Sequence, residues 1–213
     1  MRNFHMSRAR AGLLIAASAL VLSSCASEFT RTGSSPSFLI VDAMLASSGA
    51  QPEELGGSLA SDVITLVEQQ VNGANVLVPT VFQDNGRVRM RVAMRNPLSP
   101  TGPSAINAIT LNRYRVTYRR TDGRNTPGVD VPHGFDGAIG VTVPEDEDVE
   151  FSFPLVRLQA KLEPPLINLR ENGGRIVIST LAEVTFYGRD QAGNEVSASG
   201  SLSIDFSDWG DPR

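Results

Sequence analysis

The chain has 213 residues, a formal net charge of −4, 19 Lys and Arg against 23 Asp and Glu, one cysteine and two histidines. An acidic chain argues against nucleic acid as a partner, and a single thiol excludes an internal disulfide. The shortage of His, Cys and Lys removes most of what nucleophilic triads, zinc sites and Schiff-base chemistry draw on.

The N-terminus opens with Arg2, Arg8 and Arg10 and no acidic residue, then an apolar run over 13–22 that leads into Leu22-Ser23-Ser24-Cys25. A helix needs roughly 20 apolar residues to cross a bilayer, so this run is too short to span one and has the layout of a secretory signal peptide. The segment resembles the lipobox of bacterial lipoproteins. That resemblance implies cleavage before Cys25, a diacylglyceryl group on its thiol and acylation of the new amino group. Residues 1–24 are then the signal peptide, Cys25 is the lipid attachment site, and the protein sits in the bacterial envelope. Ala26 after the cysteine implies sorting to the outer membrane. Loss of the three leader arginines takes the net charge from −4 to −7 and leaves His133 and Lys161 as the mature chain's histidine and lysine. The stretch 25–36, rich in Ser, Thr and Gly, has too little apolar surface to pack and reads as a flexible tether.

From 37 onward the pattern is that of short strands. The compact apolar run at 37–45 predicts a strand covered on both sides, and 47–59, with Pro52 and Gly56-Gly57, predicts a long loop. Segments 63–67 and 75–82 are strand candidates around Asn72-Gly73, a favoured hairpin pair. Over 86–95, Val88, Met90, Val92 and Met94 alternate with Arg87, Arg89, Arg91 and Ala93, which predicts a strand with one wet face. Asn96-Pro97 stops it. Tyr114, Val116 and Tyr118 alternate in the same way with Arg113, Arg115, Thr117 and Arg119 within 106–120. The loop-like region 125–140 leads to a strand over 138–143, then the acidic turn Glu145 to Asp148, then alternation at Val149, Phe151 and Phe153. Leucines 155, 158 and 162 fit either strand or helical spacing before Pro164-Pro165. A long hairpin over 175–187 and 195–206 closes the chain. Many short strands without a long amphipathic helix predict an all-β, single antiparallel sandwich over 37–206 with a tail at 207–213.

The closing turn Phe186-Tyr187-Gly188-Arg189-Asp190-Gln191-Ala192-Gly193-Asn194-Glu195-Val196 resembles the last hairpin of bacterial immunoglobulin-like and fibronectin-III-like domains. There an Asp-x-Ala-Gly-Asn turn joins the final strands. Gly193 and Asn194 tolerate positive φ, and Asp190 can accept backbone N–H bonds across the turn. The resemblance implies an immunoglobulin-like sandwich and no particular activity.

Arg87, Arg89 and Arg91 on one strand and Arg113, Arg115 and Arg119 on another form the leading candidate surface, a single patch if the two strands are neighbours. Guanidinium groups grip phosphates and carboxylates, so such a patch would suit anionic lipid, polysaccharide or an acidic protein. The competing reading pairs each arginine with an acid on an adjacent strand. The Glu145 to Asp148 run, with Asp130 or Asp136 as helpers, and the pair Asp190 and Glu195 carry oxygen ligands but lack calcium-loop spacing, so no metal is assigned. His133, near Asp136, lacks an accompanying nucleophile motif. Trp209 either anchors a partner or packs back onto the strands. With no catalytic residue and no cofactor assigned, the expectation is a lipid-anchored, non-catalytic binding or scaffold module. Its partners are the membrane and another envelope protein, polysaccharide or anionic lipid, not nucleic acid. The alternative is a carboxylate-dependent carbohydrate-active or calcium-dependent module at the cell surface.

Overall fold

The computed structural model describes residues 35–100 and 102–209. The stretch read as a signal peptide, Cys25, most of the stretch read as a tether and the tail after Trp209 lie outside the described residues. From Pro36 onward the chain clusters as one compact unit, and that unit is all-β. Strands β1 (Ser37–Ser47), β5 (Asp84–Met94) and β8 (Val149–Val156) form one sheet in the order β1-β5-β8. A second sheet runs β2-β10-β9-β6-β7 and curls into a half-barrel, built from β2 (Ser58–Asp62), β6 (Ile109–Arg119), β7 (Phe135–Val143), β9 (Ile178–Asp190) and β10 (Glu195–Ser207). Its pairs are antiparallel except β2 with β10, which is parallel. Among the described residues, strands β3 (Thr65–Val71) and β4 (Ala74–Thr80) pair only with each other.

Alternation decides which side chains go inside. On β5, Val88, Met90 and Val92 are buried; on β6, Tyr114, Val116 and Tyr118 are; on β9 and β10, Ala182, Val184, Phe186, Leu202, Ile204 and Phe206 complete one shared core. An aromatic group fastens the two sheets together. Phe153 of β8 meets Tyr114 of β6 and Phe186 of β9 edge-on, both at a centroid distance of 5.2 Å, and each such pair adds about 0.5–1.5 kcal/mol beyond the area it buries. The Tyr114 hydroxyl donates to the Pro154 carbonyl at 3.1 Å, and Tyr118 to that of Leu155 at 2.7 Å. Burial raises the pKa of both phenols; for Tyr118 the charge of Asp84 acts in the same direction.

The closing turn is built as its residues suggest. Asp190 Oδ1 accepts from the backbone N–H groups of Ala192 at 3.0 Å and Asn194 at 2.8 Å, and Gly193 takes φ +87°. The Asn72-Gly73 turn likewise joins β3 to β4 with both residues at positive φ.

Several elements depart from the pattern expected. The stretch read as loop to 59 already contains the start of β2, whose Leu59 and Ser61 point inward. The first hairpin strand lies later than the expected 63–67, because Val63 is fully buried in the core instead of belonging to the arm, and the second ends at Thr80, short of the expected 82. Strand β7 begins at Phe135, inside the loop-like region. The ambiguous leucine stretch divides. Leu155 and Val156 end β8, a single helical turn α1 spans Leu158–Lys161, and a 3-10 turn spans Leu166–Leu169. No helix among the described residues is long and apolar enough to cross a membrane.

Candidate functional site

The two arginine triplets do not form one patch. Strand β5 belongs to the three-stranded sheet and β6 to the five-stranded one. Their apolar residues meet in the same core, so the arginines that alternate with them face outward on opposite sides of the body. Four of the six are paired with acids: Arg87 with Glu150 at 3.5 Å, Arg91 with Asp42 at 3.1 Å, Arg113 with Asp136 at 3.0 Å and Arg119 with Glu183 at 3.7 Å. Arg89 and Arg115 form no ion pair with the described residues. Exposed pairs of this kind contribute about 0.2–1 kcal/mol each, so they neutralise the faces more than they stabilise them. Arg113 also sits over Tyr187, 4.1 Å from the ring centre, beside a groove of about 360 Å³ that Arg189 and Glu195 also line. Those last two are joined at 3.0 Å, so the groove holds no uncompensated charge among the residues named.

His133 lines a cleft of about 170 Å³ with Pro132, Phe135, Arg157, Gln159 and Glu163. That is small beside the 300–1,000 Å³ usual for organic ligands. Arg157 closes one wall by stacking over Phe135 at 3.8 Å and donating to the Asp136 carbonyl at 2.5 Å. The carboxylate of Asp136 is turned away to Arg113, so the acid that shares the cleft with His133 is Glu163, which sequence spacing did not suggest. Among the described residues, no three His, Cys, Asp or Glu side chains come together as a metal site. Asp190 is engaged by its own turn and Glu195 by Arg189.

A denser polar centre lies inside the body, at the root of the β3–β4 hairpin. Asp84, the first residue of β5, is fully buried, and its Oδ2 lies 2.8 Å from the ammonium of Lys161, itself 1% exposed. The same oxygen accepts from Ser61 Oγ of β2 at 2.6 Å, while Oδ1 accepts from the Gly49 N–H at 3.0 Å. On the other side of the root, Asp62 accepts from Thr65 Oγ1 at 3.0 Å and from the Trp209 N–H at 2.9 Å. Burial raises the Asp62 pKa above the ordinary carboxylate value and the charge of Asp208 adds to this; the two hydrogen bonds and the Lys161 charge pull it back. Trp209 is half-buried against Gly174, with its indole N–H lacking a hydrogen-bond partner among the described residues. It packs on the body instead of standing out from it.

No family model matches the chain, no curated protein matches it, and no solved structure matches it. What it does must therefore be read from its own residues.

The remaining feature is the hairpin itself. Register places Val67, Val71, Ala74, Val76 and Val78 on one face, which carries no charged residue. On that face Val71 and Val76 are 47% and 44% exposed, while Leu77, 47% exposed, lies on the other face opposite Glu68. Two strands alone are marginal in water, and this pair extends from a root fixed by Asp62 and Asp84 with neither outer edge paired to another strand among the described residues.

Proposed function

We propose that the chain is a lipid-anchored protein of the bacterial envelope, held at the outer membrane through Cys25, whose immunoglobulin-like body is a non-catalytic binding or scaffold module. The observation that carries this reading is the β3–β4 arm. An uncharged valine face and two open strand edges, set on a fixed root, are means of holding another protein by burial and strand addition. The facing sheets and the Asp190 turn support the immunoglobulin-like reading, and the lipobox supports the anchor. Largely neutralised arginine faces and a small His133 cleft favour contact with another envelope protein over capture of a polyanion or turnover of a substrate.

The test is a Val71→Ser, Val76→Ser variant of the membrane-extracted protein, compared with the unaltered chain in affinity capture followed by mass spectrometry. The expected result is loss of the captured envelope partner with the melting transition nearly unmoved, since these side chains are already half exposed. Retention of the same partner at the same yield would remove the arm from the argument.

A further inference from the structure

The chain has a single lysine, and water barely reaches it. Eighteen arginines supply every other strongly basic side chain, yet among the described residues the fully buried cation is Lys161, 2.8 Å from a fully buried Asp84. For a purely electrostatic pair in the interior, arginine is the better choice, being weakly hydrated and able to bind a carboxylate through two parallel hydrogen bonds. Lysine alone supplies a primary amine. Two ions kept from water also carry a desolvation penalty of several kcal/mol each, which condensation to a neutral amide abolishes.

We propose that Lys161 and Asp84 react with each other to form an intramolecular isopeptide bond from Nζ to Cγ, releasing one water. The groups around the pair supply each part of that step. Proton transfer from the ammonium to Oδ2 turns the ion pair into an amine and a carboxylic acid. The Nζ lone pair then adds to Cγ, and the negative charge that develops on Oδ1 is held by the Gly49 N–H, which already donates to that atom at 3.0 Å. Ser61 Oγ, 2.6 Å from Oδ2, passes the second amine proton to Oδ2. The Cγ–Oδ2 bond breaks, water departs and the carbonyl re-forms, with no oxidant, reductant or further reagent consumed. The fold supplies the encounter, since two groups held in contact by packing react as one molecule. The product ties α1 to the first residue of β5 and so locks the root of the hairpin covalently. This goes beyond the binding reading and does not depend on it.

The test is peptide mapping by mass spectrometry of the full-length protein purified from membranes, denatured and digested with trypsin. The expected result is no cleavage after Lys161, with a branched species joining the peptide that ends at Arg87 to Leu158–Arg170, lighter by one water than the two separately. In Asp84→Asn the same branched species should form with loss of ammonia in place of water, and in Lys161→Arg it should be absent. Ser61→Ala should leave a larger unreacted fraction. Recovery of Leu158–Lys161 as an ordinary free peptide from the folded, unaltered protein would overturn the proposal, and that measurement needs no variant to fold.

Discussion

Gly137 and Gly140 sit three residues apart on the edge strand β7, and the same substitution at each should give opposite results. A Cβ at Gly137 would lie 2.2 Å from Tyr114 Cε1 and 2.3 Å from its Cζ, whereas one at Gly140 meets nothing within 4 Å. Tyr114 is the direct cross-strand partner of Gly137, and its ring covers the bare backbone there. The ring cannot step aside freely. It is enclosed by Phe135, Phe153 and Phe186 and fixed by its hydroxyl to Pro154. Overpacking of this kind costs about 1–3 kcal/mol, and a displaced ring forfeits a hydrogen bond of about 1 kcal/mol. Gly137→Ala should therefore lower stability by about 2–4 kcal/mol, a fall in Tm on the order of 10 °C for a body of this size. Gly140→Ala restricts the unfolded chain and should leave stability unchanged or raise it by about 0.4–1 kcal/mol. Urea titration followed by far-ultraviolet circular dichroism, together with thermal melts, gives both values from one series. Coincident transitions for the two variants would refute the placement of Tyr114 over Gly137 and, with it, the register of β6 on β7.

Two further outcomes follow from the sequence and the faces. Cys25→Ser should block cleavage and acylation, leaving a longer precursor that no longer partitions with lipidated protein; unchanged electrophoretic mobility and membrane fraction would contradict the lipobox assignment. Replacing Arg87, Arg89 and Arg91 together with Gln should change stability by less than about 1 kcal/mol per pair lost, and any anionic ligand bound through that face should already have weakened with salt, as the Debye length falls from about 10 Å at 0.1 M to about 3 Å at 1 M. Ready unfolding of the triple variant would make these arginines structural partners.

Much of the strand pattern is legible because period-two alternation is local. Val88 to Met94, Tyr114 to Tyr118 and the closing hairpin announce their buried faces within a few residues. Strand β2 is not legible, since Ser58–Asp62 offers only Leu59 as an apolar inward residue and follows a polar loop; it is a strand because β10 is beside it in parallel. Pairing order is equally hidden. Nothing in the two arginine alternations says that one belongs to a sheet with β1 and β8 and the other to a sheet with β7 and β9. The interior centre was present in the composition as a lone lysine, but its meaning depends on Asp84, Ser61 and Gly49 converging from distant parts of the chain. Asp84 stands between Gln83 and Asn85, where an unremarkable polar turn is the natural expectation.

The burial of that one lysine also determines what the outside of the body is made of. With Lys161 enclosed, the surface displays no side-chain amine at all. Reagents that label or crosslink amines, and enzymes that acetylate lysine, find no side-chain target on the folded domain. Its external positive charge is carried by guanidinium groups, which keep their protons at any pH a cell provides. The positive charge that the arginines place on either side of the body is therefore a fixed feature of the fold, beyond the reach of both amine chemistry and cellular pH.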